Sequence, residues 1–158
     1  MENKTFSREP REPKEFAETT IQVNRVSKKI TGGSKVGYSV LVAVGNQKGQ
    51  IGVALAKSPE VSLAVAKAVS RAKRALFTVP IKNNTIPGVV LAKFGGASVL
   101  LKPAPKGSGL IAGGSPRAIL ALSGINDVSV KMLGNNNKIN NAYAIVKALK
   151  QLSKITSK

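Results

Sequence analysis

A chain of 158 residues, 42% of them hydrophobic, has enough apolar material for a core, but 25 Lys and Arg against 7 Asp and Glu leave a net charge of +18. Such an excess repels itself in a compact state and points to a polyanionic partner. With no cysteine, no histidine and only Glu60 and Asp127 as acids beyond Glu18, the chain lacks disulfides, the usual zinc ligands and paired acid–base groups, so neither an enzyme nor a metal or other cofactor is expected.

Residues 1–19 mix charges, including Glu2, Glu9, Glu12, Glu15 and Glu18, with Pro10 and Pro13, and offer only Phe6, Phe16 and Ala17 as apolar anchors. That composition predicts a disordered tail. It also lacks the apolar stretch of a signal peptide, and no later run approaches the ~18 apolar residues of a membrane span, so a soluble cytoplasmic protein with no membrane partner is expected.

Residues 21–31 begin as a strand with Ile21 and Val23 on one face, yet Val26 and Ile30 continue with the opposite parity. The change predicts a bulge near residues 24–26 that turns Arg25, Lys28 and Lys29 outward, while Gly32-Gly33 lets the connection project as a loop ahead of Lys35. Residues 38–45 place Tyr38, Val40, Val42 and Val44 on one face. Residues 50–57 do the same with Ile51, Val53 and Leu55, and a turn over Gly45 to Gly49 completes a three-stranded antiparallel meander. Residues 59–77 change to a helical period, with Pro59 in the first turn, an apolar stripe of Val61, Val65, Ala68, Val69, Ala72 and Leu76, and Lys67, Arg71 and Arg74 together opposite it. A merely solvated face usually mixes signs, and acids are too scarce here to do so.

A cluster of Pro and Asn at residues 80–87 separates a second unit. A hairpin of residues 88–92 and 97–102 turns at Lys93, Phe94, Gly95 and Gly96, with Val89, Leu91, Val99 and Leu101 as core candidates. Ser115 and Pro116 are read as N-cap and first turn of a short helix carrying Ile119, Leu120 and Leu122 and stopped by Gly124. A strand over 127–132 and a helix from about Asn141, with Ala142, Ile145, Val146, Leu149 and Leu152 inward, complete an α+β chain divided into the tail and domains at 20–83 and 84–158.

Gly107-Ser-Gly109-Leu-Ile-Ala112, with Asp127 about 20 residues on, has the outline of a dinucleotide fingerprint. Its context excludes that reading, because Pro103 and Pro105 break the strand before the glycines and Gly113, Gly114 and Pro116 delay the helix after them. A structural loop, or one pressed against another macromolecule, fits better. Six aromatic residues, Phe6, Phe16, Tyr38, Phe77, Phe94 and Tyr143, are too few for a single-strand stacking platform, with Phe94 at its hairpin tip left open. Recognition by charge and shape suits structured RNA.

The runs VNRVSKKITGGSK, VGNQKGQIGVALAK, PEVSLAVAKAVSRAK, VLLKPAPKGSGLIAGGSPRAIL and LGNNNKIN resemble, in colinear order from residue 21 to about 152, the bacterial small-subunit ribosomal protein five family. The resemblance implies an N-terminal domain like the double-stranded-RNA-binding domains, a three-stranded sheet with one helix, and a C-terminal β-α-β-α domain whose sheet is covered by two helices. It implies a place in the small subunit beside proteins four and eight, near the channel through which messenger RNA enters, with themes of assembly, translational accuracy and spectinomycin sensitivity. No homo-oligomer is expected. Ribosomal RNA would meet Arg25, Lys28, Lys29, Gly32, Gly33 and Lys35 first and Lys67, Arg71 and Arg74 second. Gly109 and Arg117 match the contact with protein four, Arg117 being open to a partner carboxylate or to RNA. The family's K-G-G-R-R is Thr31-Gly32-Gly33-Ser34-Lys35 here, which loses two of three cations. Its glycine-rich third strand is Gly52-Val-Ala-Leu-Ala-Lys57, a stiffer segment, and Ala121 stands where an acid is usual. A free RNA chaperone or single-strand RNA-binding protein is the alternative; a membrane-surface helix at 59–77 would need larger apolar residues than alanine.

Overall fold

The apolar run Val40-Leu-Val-Ala-Val44 is too continuous for a strand with one wet face, and in the structure it is the strand around which both halves of the chain pack. The structure is a computed structural model that describes residues 15–156. Its elements are β1 (Ala17–Ile30), β2 (Gly33–Gly45), β3 (Gln50–Ser58), α1 (Val61–Arg74), β4 (Phe77–Thr78), β5 (Val90–Phe94), β6 (Ala97–Pro103), β7 (Leu110–Ile111), α2 (Gly114–Ser123), β8 (Val128–Gly134) and α3 (Lys138–Thr156). An antiparallel sheet runs β1-β2-β3-β4, and a second runs β5-β6-β8-β7 with β7 parallel to β8.

The two faces of β2 serve different cores. Val40, Val42 and Val44 pack with Ala54 and Ala56 against Ala64, Ala68 and Ala72 of α1. Leu41 and Ala43 join Ile51 and Val53 in a second core that contains Ile119, Leu120 and Leu122 of α2, Val99 and Leu101 of β6, and Ile145 and Leu149 of α3. The expected apolar stripe of α1 is rotated toward its alanines, leaving Val61 exposed and Val65 and Val69 half-buried. Close approach explains the rotation: a Cβ on Gly52 of β3 would sit 2.2 Å from the Ala72 carbonyl oxygen, so the sheet meets the helix at a distance only small residues permit.

Backbone groups fasten the second core. Gln47 N–H donates to the Leu122 carbonyl at 3.0 Å and Gly49 N–H to that of Ser123 at 2.9 Å, which satisfies the carbonyls at the end of α2. A Cβ on Gly45 would lie 2.3 Å from the Leu122 oxygen. Gly124 caps α2 at φ 85 with its would-be Cβ 2.2 Å from the Gln47 oxygen.

Four expectations are corrected. The register shift in β1 lies between Thr20 and Gln22, and pairing is unbroken from Gln22 to Ile30, so residues 24–26 hold no bulge. β1 starts at Ala17, inside the stretch read as tail; residues 1–14, the rest of that stretch, lie outside the described residues. Val89, just before β5, and Leu91 within it are 60% and 61% exposed while Val90 and Ala92 are buried. The two-residue turn Gly95-Gly96 pairs Val90 with Leu101 and Ala92 with Val99, and a turn one residue longer would have been needed for the other parity. Finally, α2 is N-capped by Gly113 with Ser115 and Pro116 inside its first turn, and α3 begins three residues early because Asn137 Oδ1 accepts the Ile139 N–H at 3.0 Å. The short strands β4 and β7 were not anticipated.

Because one core spans both sheets, Gly45→Ala should destabilise the whole chain by about 1–3 kcal/mol through overpacking against α2. Urea denaturation followed by probes in each half should show one coincident transition at a lower midpoint; separate transitions would contradict the shared core.

Candidate nucleic-acid interface

β3 ends at Ser58, opposite Tyr38 of β2, so the pairs from Val26↔Gly37 to Ile30↔Gly33 continue alone as a two-stranded arm. Neither face of the arm rests on a core, which is why its apolar residues obey no single parity and Ile30 is 52% exposed. At the tip Gly32 takes φ +88, a left-handed value that glycine adopts without strain, and nothing lies within 4 Å of a Cβ placed on Gly32 or Gly33. The turn therefore needs glycine for its backbone, and its outer surface is bare peptide.

Arg25, Lys28, Lys29 and Lys35 are all exposed on this arm. Lys28 stands directly opposite Lys35, while Arg25 pairs with Tyr38 and Lys29 with Ser34. Lys57 pairs with Ser39, itself opposite Asn24, and so joins Lys28 and Lys35 on one face of the sheet. These three lysines, with Val26, Gly37 and Pro59, line an open groove of about 430 Å³. Lys57 was overlooked from the sequence because its place is visible only through the register of β2 with β3.

α1 covers the face that Arg25 and Lys29 occupy further along. Its Lys67 and Arg74 are exposed, but the Arg71 guanidinium donates to the Leu55 carbonyl at 3.2 Å, bonding to β3 beyond the point where β4 stops pairing. Lys73 reaches Glu18 at 3.4 Å, and among the described residues no cation of the arm is paired with a carboxylate in this way.

A separate loop forms around Asp127. Its carboxylate is buried and Oδ1 accepts the N–H groups of Gly107 at 3.1 Å and Gly109 at 2.9 Å, while Arg117 donates to the Leu110 carbonyl at 3.3 Å. Gly109 and Arg117 thus flank the same short strand, β7. Asp127, which a dinucleotide site would need facing a ribose, is occupied in shaping the glycine loop. Across the second sheet, Phe94 packs against Tyr143 with ring centroids 5.3 Å apart and planes tilted by 35°, beside Lys147, Lys150 and Lys154 of α3. Lys150 Nζ lies 5.1 Å over the Phe77 ring and Lys147 Nζ donates to the Lys93 carbonyl at 3.0 Å. This basic face was legible in the helical spacing of its lysines but was not singled out. Among the described residues no cluster of three or more acids could hold a metal ion, and no helix is long and apolar enough to cross a membrane.

Comparison with known proteins places these features in a family. Residues 16–80 match the family described as "Ribosomal protein S5, N-terminal domain", and residues 92–157 match "Ribosomal protein S5, C-terminal domain". A curated relative from Treponema pallidum (strain Nichols), "Small ribosomal subunit protein uS5", is 44% identical over 150 residues, covering 95% of this chain and 87% of its own. "Small ribosomal subunit protein uS5c" of Porphyra purpurea is 46% identical over 138 residues, 87% of this chain and 79% of its own.

Asp127→Ala would leave two loop N–H groups without their acceptor, and because Gly107 is exposed and Gly109 half-buried the loss is that of ordinary hydrogen bonds, about 0.5–1.5 kcal/mol each. Hydrogen exchange at Gly107 and Gly109 should accelerate by about tenfold or more relative to amides of β6, since about 1.4 kcal/mol corresponds to tenfold. Unchanged exchange would mean that the loop is held by other contacts.

Proposed function

From the premise that the chain belongs to the ribosomal protein S5 family, and is thus a structural constituent of the small ribosomal subunit that binds its RNA, we propose that the β1–β2 arm is its principal RNA grip. The observation that carries this reading is the arm itself: Arg25, Lys28, Lys29 and Lys35 are exposed on a ribbon that leaves the body of the protein, and among the described residues no acid neutralises them. Lysine and arginine on phosphates position a protein without reading sequence, and the glycine tip lets an RNA backbone approach closely through Gly32 and Gly33. Lys67 and Arg74 of α1 add a second set of contacts. Arg71 contributes less than its exposure suggests, because its guanidinium already serves the β3 edge.

The role is non-enzymatic: positioned charge holds RNA in place and breaks no bond. Messenger RNA where it enters the subunit is a further partner, met by the cations of the arm that ribosomal RNA leaves uncovered. They act by holding phosphates apart. The loop of Gly109 and Arg117 is the surface for protein four, shaped in advance by Asp127, and protein eight is the other protein neighbour. Through these contacts the chain supports assembly and translational accuracy.

Affinity for isolated small-subunit RNA should fall by roughly a thousandfold or more between 50 and 200 mM salt if six to ten phosphates are engaged. Footprinting on that RNA should protect a discrete site. A flat salt dependence would remove the electrostatic grip, and diffuse protection would favour a free RNA chaperone or single-strand binder.

At the second surface a Cβ on Gly109 meets nothing within 4 Å, so an arginine has room there even though φ +71 strains it by about 1–2 kcal/mol. Gly109→Arg should leave the protein folded and incorporated while raising translational error. Unchanged error in ribosomes shown to carry the variant would separate this loop from accuracy.

A further inference from the structure

Strand pairing sorts the arm's cations into two sets facing opposite ways. The pairs Val26↔Gly37, Lys28↔Lys35 and Ile30↔Gly33 share one face with Lys57. Arg25↔Tyr38, Ser27↔Val36 and Lys29↔Ser34 share the other. A ribbon lying on a single RNA backbone would use cations on one face and turn the other to water.

Each set has the marks of a phosphate contact. Lys28 and Lys35 are directly opposed like charges, an arrangement that destabilises a strand pair unless an anion bridges it, and Lys57 brings a third ammonium to the same groove of about 430 Å³. Among the described residues, none that lines that groove is acidic. On the other face, Arg25 and Lys29 are four residues apart, about 13 Å at the rise of a strand, which suits successive contacts along one backbone.

We infer that the arm is a wedge between two RNA segments: Lys28, Lys35 and Lys57 hold a backbone phosphate of one, and Arg25 and Lys29 hold the backbone of the other. This rests on the RNA-binding reading above and gives it a geometry. Two phosphate backbones brought close repel each other; a thin ribbon with cations on both faces offsets that repulsion where the segments converge. The arm then serves assembly by joining RNA to RNA.

The absence of native cysteine makes the test direct, since any introduced thiol is unique. Ile30→Cys on the first face and Ser34→Cys on the second lie near the same level of the ribbon and remove no cation. Each variant, carrying a tethered iron chelate that generates hydroxyl radicals, is assembled into small subunits and the cut nucleotides of the ribosomal RNA are mapped. Two non-overlapping sets of cuts, each several-fold stronger from its own face, are expected. Coincident cuts would overturn the wedge and leave RNA binding intact, whereas no cuts from either position in subunits containing the protein would overturn both. As a second measurement, the double variants Lys28→Gln/Lys57→Gln and Arg25→Gln/Lys29→Gln are footprinted on isolated RNA. Each should lose protection of its own segment only and lower the slope of log K against log salt by about two. Loss of both protections together from either variant would mean a single segment.

Discussion

Burial of β2 on both faces is the constraint from which the rest of the structure follows. A strand with one wet face can slip by one residue and exchange its faces; β2 cannot, because Val40, Val42 and Val44 fill the space under α1 while Leu41 and Ala43 belong to the core shared with α2 and α3. Full burial of a side chain such as Val or Leu stabilises by about 1.5–3 kcal/mol, so a slip would exchange several such terms at once. The Gly45 end of β2 is also held by backbone bonds from the next turn to the end of α2. With one end fixed and the register locked, the other end has a defined direction and the arm inherits it.

That dependence explains which features were legible in the sequence. Period alone located the meander, the change to a helix at α1 and the glycine stop of α2, because each rests on local chemistry. Sheet parity beyond the core was not legible. Val26 and Ile30 suggested a bulge at residues 24–26, but past Arg25 there is no core to make parity meaningful, and the true shift falls at Thr20 to Gln22, where β1 still packs on the body. The inversion of Val89 and Leu91 has a similar origin: the faces of an edge strand follow from the length of its turn, and Gly95-Gly96 could be counted as two residues or as part of a longer connection. Lys57 could not be found without knowing that it lies beside Ser39.

The glycine loop shows how one residue pattern can support two chemistries. Two glycines and an acid some 20 residues later satisfy the spacing of a nucleotide site, yet here the acid lies under the loop with its carboxylate accepting the two glycine amides. Those amides point inward at Asp127 and are not available to an outside anion. Spacing identified the partners correctly but could not say which way the amides faced. The orientation comes from β8, because Asp127 immediately precedes it and its neighbour Val128 pairs with Leu110.

Thr31 and Ser34 at the tip acquire a place on the ribbon once the register is known. Thr31 lies in the turn itself, outside the paired positions, and Ser34 stands opposite Lys29 on the face of Arg25. Neither residue therefore enters the groove, where the ammonium groups of Lys28, Lys35 and Lys57 are gathered. The opposite face keeps two cations, and one of them, Arg25, is at the root, where pairing with Tyr38 ties it to the end of the three-stranded region. An isolated two-stranded ribbon is only marginally stable, so a cation near that root is held in place better than one at the tip. On this face of the ribbon the better-held cation is therefore the one nearest the body of the protein, Arg25.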